Sequence, residues 1–254
     1  MDSTIRFGRL CDEAEQETHP HTSPLMKRGI AGALLFVGVL LPVWSGGAAE
    51  RGREAGSSPE GIRAEVSYIE GYVRVNGEAA SFGQTVPPGA KIRTGAESYC
   101  DITFAQKNIM RIEPKTLTTI TIGREKRTID LEKGSIDAVF NRLEEISGTP
   151  DFRITSPSMV AGVRGTVFYI RVEDPDSTYL CTCYGTLIQR GSMEEEEDTR
   201  EVTADHHKAY RYMNTTNGTK VESAGLLYHD DEAMDAVAEQ IGVDIPWGEG
   251  KAYE

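Results

Sequence analysis

A chain of 254 residues, 39% hydrophobic and 26% charged, has room for one good-sized domain or two small ones and enough apolar content to bury a core. Its net charge of −13 is unevenly spread: Glu50 to Arg190 carries 18 basic and 19 acidic residues, Gly191 to Glu254 carries 5 and 16. An acidic last quarter and the lack of any basic stripe exclude nucleic acid and anionic membrane as expected partners.

The first segments read as export signals. Lys27-Arg28 precede an apolar run from Ile30 to Trp44, then the small residues Gly47-Ala48-Ala49, the order of a secretory signal peptide over 26–49 with the mature chain starting near Glu50. Residues 1–25, with Cys11, His19 and His21, are then an upstream extension outside the functional protein. The run is about fifteen residues and contains Pro42, short of the roughly twenty that a spanning helix needs, so no stable membrane span is expected after cleavage. The mature protein is expected to be periplasmic or secreted. Residues 50–63, rich in Gly, Ser, Glu and Arg, read as a disordered lead-in.

From Ala64 short apolar runs recur between turn signals: Val66 to Val75 before Asn76-Gly77, Ala90 to Arg93 after Pro87-Pro88-Gly89, Tyr99 to Phe104, Ile109 to Ile112, Thr118 to Ile122, and Thr128 to Leu131 before Lys133-Gly134. This spacing predicts a mainly β fold, a sandwich, roll or short β-helix of many short strands. Cys100, Ile102 and Phe104 share one face, which makes Cys100 a core residue. Ile136 to Ser147 reads as a strand followed by a short helix-like crossover. Next comes the most distinctive stretch, Ile154-Thr-Ser-Pro-Ser-Met-Val-Ala-Gly-Val-Arg-Gly-Thr-Val-Phe168, in which Pro157 marks a turn and Gly162 and Gly165 read as a structural corner. The residues after it put Phe168, Ile170 and Val172 on one face and Arg171 on the other, a half-buried strand. No helix pattern follows the glycines, which argues against a phosphate loop.

The Glu173-to-Ser177 loop should turn the chain into a hairpin over Thr178 to Gly185. The block Glu194 to Asp198 reads as a solvated loop. Val202 to Tyr212 is apolar enough for a strand, and the N-x-Thr triplets at Asn214 and Asn217 read as loop chemistry. Asp230-Asp231-Glu232 open a short amphipathic helix that Gly242 and Pro246 stop.

Thr155-Ser156-Pro157, Val160 to Thr166 and Phe168 resemble the most recognisable block of FecR-type domains, extracytoplasmic sensor modules. Gly71 to Gly77, Pro88-Gly89, Thr94 to Ser98, Met110 to Pro114 and Leu131 to Gly134 agree with that resemblance, which spans about half the chain, 64–190. It implies an envelope module for sensing a small ligand or an envelope protein. FecR proteins that regulate sigma factors resemble a longer design, with a cytoplasmic segment and a membrane span before the sensor. Residues 1–25 are too short and polar to be that segment, so only the envelope module is carried over.

Chemistry concentrates outside the family's usual pattern, in the acidic extension 191–254 and the strand before it. Cys181 and Cys183, two apart on a strand, project their sulfurs to one face while Leu180 and Tyr184 take the other. His206 and His207 would face opposite sides of a strand, so one of them can join the cysteines, and His229 can add a fourth ligand. Such a Cys2His2 set suits zinc, or copper(I) with fewer ligands. The bland alternative is a strained Cys181–Cys183 disulfide or two thiols, with surface or capping histidines. No strand-to-helix elbow or third orienting residue accompanies Cys183 and His207, and Cys-x-x-Cys is absent, so no enzyme is expected. The leading expectation is a non-catalytic sensing module of the cell envelope, the alternative a small envelope metal-binding or thiol-redox protein.

Overall fold

The structure is a computed structural model that describes residues 62–123, 126–141, 143 and 152–248. The segments expected to be an upstream extension (1–25), a signal peptide (26–49) and most of the lead-in (50–63), and most of the expected crossover after Phe140, lie outside the described residues. Among the described residues fifteen strands follow the turn signals of the sequence. The first eight are short: β1 (Ala64–Glu70), β2 (Val73–Val75), β3 (Glu78–Ala79), β4 (Thr85–Val86), β5 (Ala90–Thr94), β6 (Tyr99–Phe104), β7 (Asn108–Ile112) and β8 (Leu117–Ile122). Then come β9 (Arg127–Phe140), β10 (Phe152–Thr155), β11 (Met159–Asp174), β12 (Ser177–Gly191), β13 (Arg200–Ala204), β14 (Lys208–Thr215) and β15 (Gly218–Ala224). The α-helix among the described residues, α1 (Asp231–Ala238), extends into a 3-10 turn, Glu239–Ile241. None of the described helices is long and apolar enough to cross a membrane.

Three long strands change partners halfway, and this organises the molecule. The first half of β9 pairs with β8 and, in parallel, with β10; its second half pairs with β7 and β11. Likewise β11 pairs first with β10 and then with β9, while β12 takes β14 on its first half and β13 on its second. Two sheets result. One runs β3-β2-β5-β8-β9-β10-β11-β12-β13, the other β4-β1-β6-β7-β9-β11-β12-β14-β15, with the long strands shared. Each crossing sits at a glycine in the left-handed region: Gly134, Gly165 and Gly185, with φ of +89°, +77° and +96°. A Cβ on Gly134 would run into Thr116, and one on Gly185 would lie 2.9 Å from the Gly165 carbonyl oxygen, so these corners need glycine for space as well as for φ. Gly162 has an ordinary φ, and a Cβ there would meet only Ile188 at van der Waals distance. Pro157 serves through its carbonyl, which accepts from Ser192 Oγ and Asn214 Nδ2.

Between the sheets lies the main core. It includes Val66, Ile92, Ile102, Met110, Ile120, Ile136, Ile154 and Leu180, with Phe104, Phe140, Phe152 and Phe168 forming a ring cluster at centroid spacings of 4.8 to 5.6 Å. Cys100 is fully buried here, and burial pushes its thiol up to about 12. A second cluster covers the outer face of the second sheet. Ile109, Val139, Val167, Tyr169, Tyr179, Cys181 and Cys183 pack there under Met234, Val237 and Ala238 of α1 and Ile245 beyond it. Burial of both faces corrects the half-buried strand read at Phe168: Tyr169, on the side of Arg171, is covered by the C-terminal segment. Asn214 is also corrected, from loop to strand, where it caps the Pro157 turn.

The helix forms for ordinary reasons. Asp230 caps it by accepting from the Ala233 N–H, Asp231 and Glu232 sit in its first turn, and Gly242 ends it with a left-handed φ of +60°. Lys107 Nζ donates to the Ile241 carbonyl at 2.9 Å, which fixes the end to the sheet.

Candidate metal and ligand sites on the outer face

On the outer face of the second sheet the pairing aligns one transverse row across β6, β7, β9, β11, β12 and β14: Asp101, Arg111, Asp137, Tyr169, Cys181 and Ala209. At one end the row builds a buried sulfur and imidazole cluster. Toward the other it opens into a cleft.

Cys181 and Cys183 both reach the outer cluster. A register shift lies between Val167, opposite Tyr184, and Phe168, opposite Thr182, so Cys183 has no counterpart in β11 and sits in a bulge. The bulge also carries Tyr184 onto the outer cluster, against the expectation that it would share the Leu180 face. Between β13 and β14 the chain turns at Asp205 to His207, with His207 in the left-handed region at φ +36° and its N–H donating to the Cys183 carbonyl at 2.9 Å. The break replaces the continuous strand expected over Val202 to Tyr212. His206 and His207 therefore do not face opposite sides: both turn toward Asp231 at the start of α1, at 3.0 Å and 2.5 Å.

Four ligand atoms converge. Cys181 Sγ lies 3.5 Å from His207 Nδ1, Cys183 Sγ lies 3.3 Å from His229 Nε2, and all four lie within 4.8 Å of one another, with the cysteines and His207 buried and His229 half-buried. His206 is not among them; it belongs to the neighbouring trio with His207 and Asp231. The hydrogen bonds fix the tautomers. Leu227 offers only a carbonyl oxygen to His229 Nδ1, at 2.9 Å, so that nitrogen carries the proton and Nε2 presents its lone pair to the sulfur. In the same way the Asp231 carboxylate holds the proton on His207 Nε2 and turns Nδ1 inward. Stacking holds both rings, His229 on Tyr169 at 4.5 Å and His207 on Trp247 at 5.1 Å.

Electrostatics separate the two thiols. Burial raises both, but at Cys181 the polar contacts to Cys183, His207 and His229 outweigh it and hold that group well below the usual thiol range. Burial and the neighbouring sulfur push Cys183 well above it. Asp231, Leu227, Tyr169 and Trp247 were not singled out by the sequence; only the acidic first turn of α1 gave a signal.

The cleft has a volume of about 360 Å³ and is lined by Tyr68, Tyr99, Arg111, Glu113, Asp137, Tyr169 and Tyr228, with His229 at its inner wall. Arg111 donates two 2.9 Å hydrogen bonds to the buried Asp101 carboxylate, so its charge is already matched. Asp137 is 4% exposed. Burial, then the hydrogen bond and charge of Glu113, push its carboxyl well above the usual carboxylate range, and its Oδ1 has no hydrogen-bond partner. Sequence reading missed Asp137 because a single acid in an apolar strand gives no periodic signal. The alternation of charge across Asp101, Arg111, Glu113 and Asp137 on one face was the clue available.

Residues 90–185 match the family model described as FecR protein, so the resemblance carried by the Thr155-to-Phe168 block holds over this span, more than a third of the chain. Two crystal structures of a candidate anti-sigma factor from Parabacteroides distasonis ATCC 8503, at 1.65 Å and 2.50 Å resolution, are similar at 13% identity and a TM-score of 0.42. The likeness covers 60% of this chain and 65% and 64% of those chains, just under two thirds of their length. No curated protein matches the chain.

Proposed function

We propose that the chain is an exported, non-catalytic sensing module of the cell envelope, with a FecR-like β domain over 64–190 and a ligand seat in the cleft on its outer face. The observation that carries this reading is the FecR match over 90–185, which includes Tyr99, Arg111, Glu113, Asp137 and Tyr169 of the cleft. A cleft of this volume is within the range of small-molecule sites. Its chemistry favours a small organic cation. An ammonium group would donate to the orphaned Asp137 Oδ1 and neutralise the Glu113 pair, while the tyrosine rings supply cation–π contact.

Calorimetric titration of the full chain with spermidine tests the seat. Saturable binding is expected, weakened at least about tenfold by Asp137→Asn with the melting temperature preserved, since one charge-assisted hydrogen bond accounts for that factor. Absence of spermidine binding, or equal binding by the variant, overturns the cation seat. Export has its own test: the N-terminal mass of the protein from its host should start near Glu50.

A further inference from the structure

The geometry points to a structural zinc centre formed by Cys181 Sγ, Cys183 Sγ, His207 Nδ1 and His229 Nε2, which clasps the C-terminal segment onto the second sheet. This inference stands independently of the sensing reading. It rests first on ligand spacing. A tetrahedral zinc with Zn–S of about 2.3 Å and Zn–N of about 2.0–2.1 Å has sulfur–nitrogen edges of about 3.5 Å. The two edges seen are 3.5 Å and 3.3 Å.

It rests next on orientation. Each histidine has its outward nitrogen tied to an acceptor, Asp231 for His207 and the Leu227 carbonyl for His229, so both inward nitrogens are lone pairs. The carboxylate behind His207 is the arrangement that orients and strengthens imidazole ligands in metal sites. Four protein ligands, the two cysteines and His207 buried and His229 half-buried, complete a tetrahedral shell without water, which suits a structural site rather than a catalytic one. With two thiolates and two neutral imidazoles the ion's charge is cancelled, a condition that makes a buried ion affordable. His206 is not part of the centre, because it groups with His207 and Asp231 rather than with the two sulfurs.

The ligands come from three places: β12, the turn between β13 and β14, and the residue before the Asp230 cap. One ion therefore ties α1 to the sheet. Because His229 stacks on Tyr169, which also lines the cleft, the same ion fixes the cleft's inner wall.

Metal analysis of the full chain, purified without chelator, should find about one zinc per chain. Cys183→Ser and His229→Asn should each lower that content at least about tenfold, while His206→Asn should retain it. Cobalt(II) exchanged into the site should give the intense visible absorption of a tetrahedral thiolate centre, lost in Cys183→Ser, and chelation should make 225–248 sensitive to protease. The inference is overturned if a Cys181–Cys183 disulfide is found by mass in place of metal. It is overturned equally if copper is bound instead of zinc, or if His206→Asn loses the metal as fully as His229→Asn. Should either ligand variant fail to fold, the cobalt spectrum of the unaltered chain decides alone: octahedral, weak absorption overturns the centre.

Discussion

Cys100 and the pair Cys181 and Cys183 are all fully buried in strands, yet they sit in unlike surroundings. Cys100 lies between the sheets among valine, isoleucine and phenylalanine, where its thiol is one more small apolar group. Cys181 and Cys183 lie on the outer face of the second sheet, against imidazoles whose hydrogen bonds are already committed. Burial alone does not distinguish a structural cysteine from a ligand. The partners do: the inner region is held by packing, whereas the outer one places polar atoms that demand a counterpart.

The sharpest way to test that contrast is to remove packing from the inner region. Phe140 contacts Phe104, Phe152 and Phe168, so Phe140→Ala should cost about 3–5 kcal/mol. Denaturant melts should show the same loss with and without chelator. A loss that depends on chelation would mean the two regions are not separable. A smaller effect is expected at Glu173, which accepts from Arg211 at 2.6 and 2.7 Å, from Tyr228 at 2.7 Å and from Ser177 at 2.8 Å. The Arg211 hydrogen bonds lower its pKa to about 2, against opposition from burial. Because the folded value is depressed, the stabilisation is complete above the unfolded value of about 4.3 and is lost as pH falls toward about 2. Glu173→Gln should cost about 2 kcal/mol at neutral pH, and thermal melts of the two proteins should converge near pH 2. Without convergence, Glu173 is not what ties the Tyr228 segment electrostatically.

The smallest effect is chemical rather than thermodynamic. Iodoacetamide should leave Cys100 unmodified in the native protein, with or without chelator, and label it only on unfolding. Labelling of Cys181 should begin once chelator is added. Mass mapping that finds Cys100 labelled first would reverse the assignment of the two regions.

Much of the inner region was legible in the sequence because alternation is local. Cys100, Ile102 and Phe104 share their face as period two requires, and the Glu173-to-Ser177 hairpin forms where the loop residues put it. The resemblance at Thr155 to Phe168 led to the span that the family model matches. The outer region was only half legible. The Cys-x-Cys spacing announced two sulfurs on one face, but a bulge at Cys183 and a left-handed turn at His207 decide which groups meet them, and neither leaves a periodic trace. Assigning opposite faces to His206 and His207 assumed an unbroken strand. Asp231, which gathers both, lies 24 residues further along, so only the folded chain brings them together.

The glycine corners carry one more consequence. Because β9, β11 and β12 run unbroken through both sheets, neither sheet has a hydrogen-bonded border at which it could detach while the other persists. The sandwich should behave as a single kinetic unit. Amide protons in the two halves of each long strand would exchange with solvent at one common rate, set by opening of the whole, while those of α1 would follow a faster rhythm of their own.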